Sequence, residues 1–288
     1  MIGSIENDFL KISVKNSGAE LIGIKNKKNN YEYLWQGDPK FWARRAPILF
    51  PIVGKLKDNT YKAEGKSFQL LQHGFARDMH FELIEKENSF LIYSLKHSAE
   101  TLKNYPYKFE LFIKYDLSKN TLKVTYEVRN MDSKKMLFSI GGHPAFNCPI
   151  VHNEKFNDCF LEFETKENAE RYVLKDGLLT TATEPVLKDE KILPLNHELF
   201  AKDALVFKGL KSEYVALKSR RSKAKLTFNF KGFPYLGIWS KPGPFVCIEP
   251  WYGHADYENA GGELKDKEGI LSLEKGKIFS CDYKIEID

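Results

Sequence analysis

Period-two alternation of apolar residues is the feature that most constrains how this chain folds. Apolar side chains stand at every second position from Phe109 to Tyr115 and again from Leu122 to Val128. A polar turn at residues 118–120 separates the two runs. Because successive side chains of a strand point to opposite faces, each run predicts a strand with one buried face. Together they predict a β-hairpin.

The same alternation recurs at Leu226–Phe230 and Phe279–Ile287, whereas helical periodicity is scarce. One short helix is predicted at residues 99–103, where Ser98 can cap the first turn and Pro106 follows the last. Many short strands with little helix predict an all-β protein, a large antiparallel β-sandwich or a barrel. Neither a Pro- or Ser-rich linker nor a repeat divides the chain. We therefore expect a single domain over residues 1–288.

Bulk composition narrows the class of partner and the compartment. Lys and Arg total 44 against 39 Asp and Glu, and the short basic runs lack interleaved aromatic residues, so we expect solvated turns and no nucleic-acid partner. The four cysteines show no C-x-x-C spacing, which is typical of free thiols in a reducing compartment. The N-terminal residues lack a basic and apolar signal pattern, and no apolar run approaches the ~20 residues of a membrane span. We expect a soluble, cytoplasmic protein without a membrane partner.

Three polar motifs interrupt the apolar strands. They are SIGGHPAFN at residues 139–147, HGFAR at residues 73–77 and CIEPWYG at residues 247–253. In the first, His143 follows a strand-like run and stands between two glycines and a proline, which tighten the backbone around a group able to exchange protons near neutral pH. In the third, Glu249 follows a buried run, where burial raises a carboxyl pKa and suits a general base. Two histidines, an arginine and a carboxylate, with several tryptophans, indicate acid–base chemistry on a polyol such as a sugar.

The order and spacing of these motifs resemble the aldose 1-epimerase (galactose mutarotase-like) family, in particular its LacX-like branch. Residues 42–51 and 234–240 extend the resemblance over nearly the whole chain. The resemblance implies the galactose mutarotase-like supersandwich, whose concave sheet holds the sugar. It implies an isomerase of carbohydrate metabolism that interconverts the α- and β-anomers of an aldohexose, with a small-molecule sugar as substrate. No metal and no cofactor are implied.

Carried over residue by residue, the resemblance makes His143 the general acid and Glu249 the general base. With ordinary pKa values of about 4.3 and about 6.5, an ionised glutamate and a protonated histidine coexist around pH 6. We expect the two groups to flank one pyranose ring. The residues implied in substrate binding are His73, Arg77, Asp203, Trp239 and Arg45.

Each assignment has a structural alternative. His143 as a satisfied structural histidine, His73 in a turn and Glu249 as the polar end of a strand are the alternatives at the central positions. Asp203 is alternatively an exposed residue before a strand, and Arg44 competes with Arg45 for the substrate-facing position. For Trp251 core packing is favoured, and for Asn147 a role in the local turn.

Three further alternatives concern function and binding. A hexose-6-phosphate mutarotase would use the same chemistry, and a non-catalytic sugar-binding or regulatory protein could share the fold. The alternating His254, Asp256 and Glu258 could suggest a metal site, but the glycines around them favour a polar loop at the pocket mouth. Nucleotide-binding and serine-hydrolase motifs are absent from the sequence. For the oligomeric state, the sequence does not distinguish a monomer from a homodimer.

Overall fold

The computed structural model describes all residues from Met1 to Asp288, and most of them lie in β-strands. The strands are β1 (Ile2–Glu6), β2 (Leu10–Lys15), β3 (Glu20–Asn26), β4 (Ile48–Leu49), β5 (Thr60–Ala63), β6 (Lys66–Gln69), β7 (Glu82–Lys86), β8 (Phe90–Lys96), β9 (Phe109–Ser118), β10 (Thr121–Asn130), β11 (Met136–Phe138), β12 (Ile140–Gly142), β13 (Ala145–Asn147), β14 (Cys159–Lys175), β15 (Leu178–Pro194), β16 (Leu205–Lys208), β17 (Tyr214–Ser219), β18 (Lys225–Asn229), β19 (Tyr235–Trp239), β20 (Phe245–Tyr252), β21 (Leu271–Leu273) and β22 (Ile278–Ile287). The predicted all-β class is confirmed.

Helical structure is confined to short segments. The only α-helix, α1 (Thr101–Asn104), overlaps the predicted segment 99–103 but begins two residues later, and Ser98 exchanges two hydrogen bonds with Thr101. No helix has the length and apolar character needed to cross a bilayer. The 3₁₀ segments are Lys57–Asn59, Ala76–Asp78, Phe156–Asp158, His197–Phe200 and Leu264–Asp266.

The predicted hairpin is confirmed with its register. Strands β9 and β10 pair antiparallel from Thr121 opposite Ser118 to Asn130 opposite Phe109. Buried and half-buried residues alternate along both strands, and Lys119 in the turn has a positive φ. Strand β22 pairs with the other edge of β10, so the alternation at the C-terminus belongs to the same sheet.

Fifteen strands form one large antiparallel sheet, which supplies the framework of the molecule. Its main path runs β4-β12-β20-β19-β16-β14-β17-β18-β22-β10-β9-β8-β7, with β13 also paired to β20 and β15 to β14. Strands β1–β3 form a separate sheet, and the pairs β5-β6 and β11-β21 form two small ones. A contiguous apolar core of 66 buried residues extends from Ile5 to Ile287.

Strand β20 differs from the hairpin because it is buried along almost its whole length. Glu249 lies inside this strand, opposite Gly237 of β19, and not at the strand end that the sequence suggested. On the other side, β13 pairs only as far as Cys247 and β12 begins at Trp251. The missing N–H of Pro250 therefore falls at a break in the ladder, where it costs no hydrogen bond.

Candidate functional site

One cavity of about 340 Å³ gathers the polar motifs of the sequence. Its volume is within the usual range of small-molecule pockets, roughly 300–1,000 Å³. Loops, the ends of several strands and the tip of the β14–β15 hairpin form its walls. The lining residues are Trp42, Arg44, Gly54, Gln72, His73, Arg77, His143, Leu174, Gly177, Leu179, Asp203, Ala204, Val206, Trp239, Lys241, Glu249, Trp251, His254 and Ala255.

His143 enters the cavity from the break between β12 and β13. Its backbone N–H donates to the carbonyl of Pro47, which fixes the turn. The Trp42 indole stacks on the imidazole with ring centroids 4.8 Å apart, and Trp239 meets it edge-on at 5.7 Å. Two aromatic rings thus restrict the imidazole to one orientation.

Glu249 faces His143 directly. The distance from His143 Nε2 to Glu249 Oε2 is 3.3 Å. The prediction that these groups flank a pyranose ring is therefore wrong, since no ring fits between them.

Burial changes the expected protonation of this pair. It raises the pKa of Glu249 well above its ordinary value, with a further rise from Asp203 and an opposing effect of Trp251. Burial also lowers the pKa of His143 to about 3, helped by the positive charges of Arg77 and Arg44 and opposed by a backbone hydrogen bond. Both effects follow from the cost of charge in a poorly solvated site. Both shifts favour the uncharged forms, a neutral carboxyl and a neutral imidazole, over the ion pair expected from ordinary pKa values.

His73 lies beside His143, with ring centroids 5.6 Å apart. Its backbone has a φ of 69°, as does that of Gly74, where a Cβ would lie only 2.3 Å from the Phe50 carbonyl oxygen. The N–H of Gly54 donates to His73 Nδ1, so the ring hydrogen is on Nε2 when the imidazole is neutral. Burial, assisted by His143 and two arginines, lowers the pKa of His73 well below its ordinary value. His73 is thus a neutral ring oriented to donate from Nε2.

Three further predicted residues line the same cavity. Arg77 donates to the carbonyl of Gln72 at 2.7 Å, while its buried Nε has no hydrogen-bond partner. Asp203 is exposed in the turn before β16 and lines the cavity, and its role in substrate binding stays a prediction. The Trp239 ring, from the end of β19, stands edge-on to Trp42 at 5.6 Å.

The structure places Arg45 outside the cavity and Arg44 inside it, so the substrate-facing position predicted for Arg45 is corrected. The Arg45 guanidinium donates to the backbone carbonyls of Gln36 and Ile22, each at 3.0 Å. Buried Glu20 accepts the N–H groups of Arg45 and Ala46, which anchors the loop. Adjacent residues of this extended loop point in opposite directions, and these bonds decide which arginine turns inward.

Trp42, Gln72, Lys241, Trp251 and His254 also line the cavity, and of these Trp42 and Gln72 are the two for which the sequence predicted no role. Trp251 is 6% exposed and packs between Gly141 and Gly237, where an added Cβ would lie 2.7 Å and 2.4 Å from the indole. It contributes to the core, as favoured, and to the cavity floor as well. Two glycines in strands that otherwise lack turn residues are the sequence signal that could have placed it. Asn147 donates to the carbonyl of Glu32, in keeping with a structural role.

The loop after β20 is less exposed than the sequence suggested. His254 is 1% exposed, and Asp256 forms a buried ion pair of 2.7 Å with Lys267. Asp256 also accepts the N–H of Lys57, while Glu258 is exposed. This loop therefore forms a wall of the cavity, and its buried carboxylate, Asp256, holds the backbone at Lys57 and pairs with Lys267.

The architecture and the cavity define an all-β protein with a polar pocket, and comparison with known proteins identifies its family. The model of the aldose 1-epimerase family matches residues 2–272. The chain is 38% identical to the chromosomal protein LacX of Lactococcus lactis, over 98% of each chain. A galactose mutarotase related enzyme from Lactobacillus acidophilus superposes with a TM-score of 0.96 at 35% identity, covering 100% of this chain and 97% of the other. A galactose mutarotase-like protein from Lactobacillus casei gives 0.94 at 34% identity and full coverage of both.

The chain belongs to the aldose 1-epimerase family, and its fold is galactose mutarotase-like. The resemblance inferred from the motifs is confirmed. The name LacX specifies no reaction, so the comparisons support the class of a mutarotase or epimerase and leave the substrate to be argued from the site.

Proposed function

We propose that this protein is an aldose 1-epimerase that interconverts the α- and β-anomers of an aldohexose. The observation that carries the proposal is the contact between His143 and Glu249, with 3.3 Å between Nε2 and Oε2, inside a cavity lined by hydrogen-bond donors. Glu249 faces the cavity, which counts against a sugar-binding protein without catalysis.

Ring opening requires two proton transfers. A base removes the proton of the C1 hydroxyl, the C1–O5 bond breaks as the carbonyl forms, and an acid protonates O5. Rotation about C1–C2 presents the other face of the aldehyde, and the same transfers in reverse close the ring. The pair begins and ends each cycle with one proton.

We assign Glu249 as the base and His143 as the acid. Because the resting proton lies on Glu249, it moves to His143 across the 3.3 Å contact when the sugar binds. Sugar hydroxyls that donate to the carboxylate favour this transfer, since hydrogen bonds to the charged form lower a carboxyl pKa. His73 Nε2 and Arg77 stabilise charge that develops on the sugar oxygens and hold the ring in position.

The test is Glu249→Gln, measured by anomer-exchange NMR. Loss of general acid–base catalysis predicts a decrease of roughly 100- to 10,000-fold in kcat, with sugar affinity largely retained because the amide keeps the shape. Glu258→Gln, at an exposed position outside the cavity, is the matched control and should exchange at the wild-type rate. Near wild-type exchange by Glu249→Gln would refute the assignment.

A hexose 6-phosphate is the second candidate substrate. Arg44, Arg77 and Lys241 line the cavity, and Asp203 is its one carboxylate besides neutral Glu249. This positive balance favours an anionic substituent, while the aromatic plate of Trp239 suits a free pyranose equally well. We retain the free aldohexose as first choice because Arg44 is already paired with Asp78 at 2.9 Å and Arg77 with a carbonyl. The ratio of kcat/KM for glucose or galactose and the matching 6-phosphate separates the two.

A further inference from the structure

The proposed reaction uses two members of a cluster of three ligand-type side chains. His143, Cys247 and Glu249 have ligand atoms that all lie within 4.8 Å of one another. Cys247 and Glu249 are two residues apart in β20, so both project from the same face of the sheet. His143 reaches them from the break between β12 and β13. The Cys247 thiol has no part in the proton transfers described above.

The spacing of this cluster suits a tetrahedral ion. Two ligands with bonds of about 2.0–2.1 Å to a tetrahedral ion lie about 3.3 Å apart. This matches the 3.3 Å between His143 Nε2 and Glu249 Oε2. A thiolate ligand lies slightly farther out, about 3.6 Å from a nitrogen or oxygen ligand of the same ion, so Cys247 Sγ needs a shift of up to about 1.3 Å.

The chemistry of the cluster selects the type of ion. Imidazole, thiolate and carboxylate together are zinc-type ligands, whereas Mg²⁺ and Ca²⁺ prefer oxygen alone. Glu249 Oε2 is buried and faces His143 Nε2 at 3.3 Å, so when both groups are deprotonated their lone pairs can converge on one ion. His143 is 8% and Glu249 1% exposed, yet both line the cavity, which leaves the fourth position open to water or to a sugar hydroxyl.

Two features limit the affinity of this cluster for a cation. His143 Nδ1 is buried without a partner, so no second group fixes the imidazole as a ligand through hydrogen bonding. Arg44 and Arg77 add positive charge nearby, whereas Asp203 is the opposing carboxylate of the cavity. The ion should therefore bind reversibly and not as a permanent structural metal.

We propose that His143, Cys247 and Glu249 form a binding site for a thiophilic divalent cation of the zinc type, and that the ion inhibits the enzyme. Bound metal occupies the lone pairs of both groups that must exchange protons with the sugar. The binding part of the proposal stands on the cluster alone. The inhibition part rests on the proposed function.

Titration with Cd²⁺ tests binding without any activity measurement. The wild-type protein should develop thiolate-to-metal charge-transfer absorption, and Cys247→Ala should lose at least about ten-fold in affinity. Cys281→Ala is the matched control, because Cys281 is a buried thiol of β22, six strands from β20 in the sheet order and outside the cluster, and it should retain the wild-type signal. Cys247→Ser is the second variant in case the alanine protein does not fold.

Zn²⁺ inhibition of anomer exchange is the second measurement. Wild type and Cys281→Ala should be inhibited at similar concentrations, and Cys247→Ala should require at least about ten-fold more Zn²⁺. Equal Cd²⁺ and Zn²⁺ responses with and without Cys247 would overturn the proposal. A Cys247-dependent Cd²⁺ signal in a protein without epimerase activity would instead keep the metal site and refute the proposed function.

Discussion

The β9–β10 hairpin and strand β20 are both antiparallel and well paired, yet their sequences carry different information. In the hairpin, one face packs on the core and the other meets solvent, so apolar residues recur at every second position. In β20 both faces are covered, and seven consecutive residues are buried. Alternation then no longer separates the faces. What separates them is chemistry: Glu249 lines the cavity, with Cys247 beside it on the same face of the strand, and Ile248 packs in the core.

The largest expected difference between the two regions is catalytic. His143→Asn, at the break beside β20, should lower kcat by roughly 100- to 10,000-fold because the amide cannot exchange a proton. Lys123→Gln on the half-buried face of β10 should leave kcat unchanged, since that side chain is far from the chemistry. Anomer-exchange NMR on both variants makes the comparison. Appreciable loss in the β10 variant would contradict the division of roles.

The free energy of unfolding should depend more on the core of the β9–β10 hairpin, whereas kcat should not depend on it. Leu122→Ala removes a fully buried side chain of β10 and should cost about 2–5 kcal/mol of unfolding free energy through lost burial and a residual cavity. The folded fraction should keep its kcat. Urea unfolding measures the free energy of unfolding. Kinetics normalised to the concentration of folded protein measure kcat. A small stability change would indicate that the hairpin core can collapse around the deletion.

Glu249→Gln should stabilise the protein increasingly as the pH rises. The folded pKa of Glu249 is raised, so the unfolded chain releases this proton at lower pH than the folded protein does. Wild-type stability therefore falls from about pH 4.5 up to the folded pKa, by about 1.4 kcal/mol per pH unit, and glutamine removes this fall. Urea unfolding of both proteins at pH 5 and pH 7 tests the sign. A stability difference that does not change with pH would show that Glu249 is ionised in the fold.

The pH profile of kcat/KM should be broader than ordinary pKa values predict. The active pair carries one proton, which is lost only above the raised pKa of Glu249 and joined by a second only near the His143 pKa of about 3. The acidic limb is expected near pH 3 and the alkaline limb well above the ordinary glutamate pKa, in place of a narrow optimum near pH 6. Stopped-flow polarimetry over pH 4–9 measures it. A narrow bell would restore the ion pair as the resting state.

The smallest expected effect separates the two neighbouring arginines. Arg44→Ala should lower kcat/KM for a hexose 6-phosphate by roughly 10- to 100-fold if that is the substrate, through loss of a charge-assisted bond. Arg45→Ala should leave the preference between free and phosphorylated sugar unchanged and loosen the loop. Steady-state kcat/KM values of both variants for the free sugar and for its 6-phosphate test this prediction. Equal behaviour of the two variants would argue against a phosphate contact at Arg44.

The local sequence was sufficient to predict the elements that depend only on the pattern of their own residues. Alternation between Phe109 and Val128 specified the hairpin because strand geometry has a period of two. The short helix after Ser98 followed from its cap, and the motifs around His143 and Glu249 indicated the family. His73, Arg77, Asp203 and Trp239 reached the cavity as the resemblance implied.

Tertiary structure alone decided the properties that depend on distances between segments. Arg44 faces inward because carbonyls from Ile22 and Gln36 hold Arg45 outward. The 3.3 Å contact of His143 with Glu249 depends on how β12 and β13 break beside β20, and its protonation depends on burial by the surrounding strands. A sequence pattern reports which face a residue takes along its own strand. It contains no measure of how closely two strands bring their side chains together, and the chemistry of the site rests on that distance.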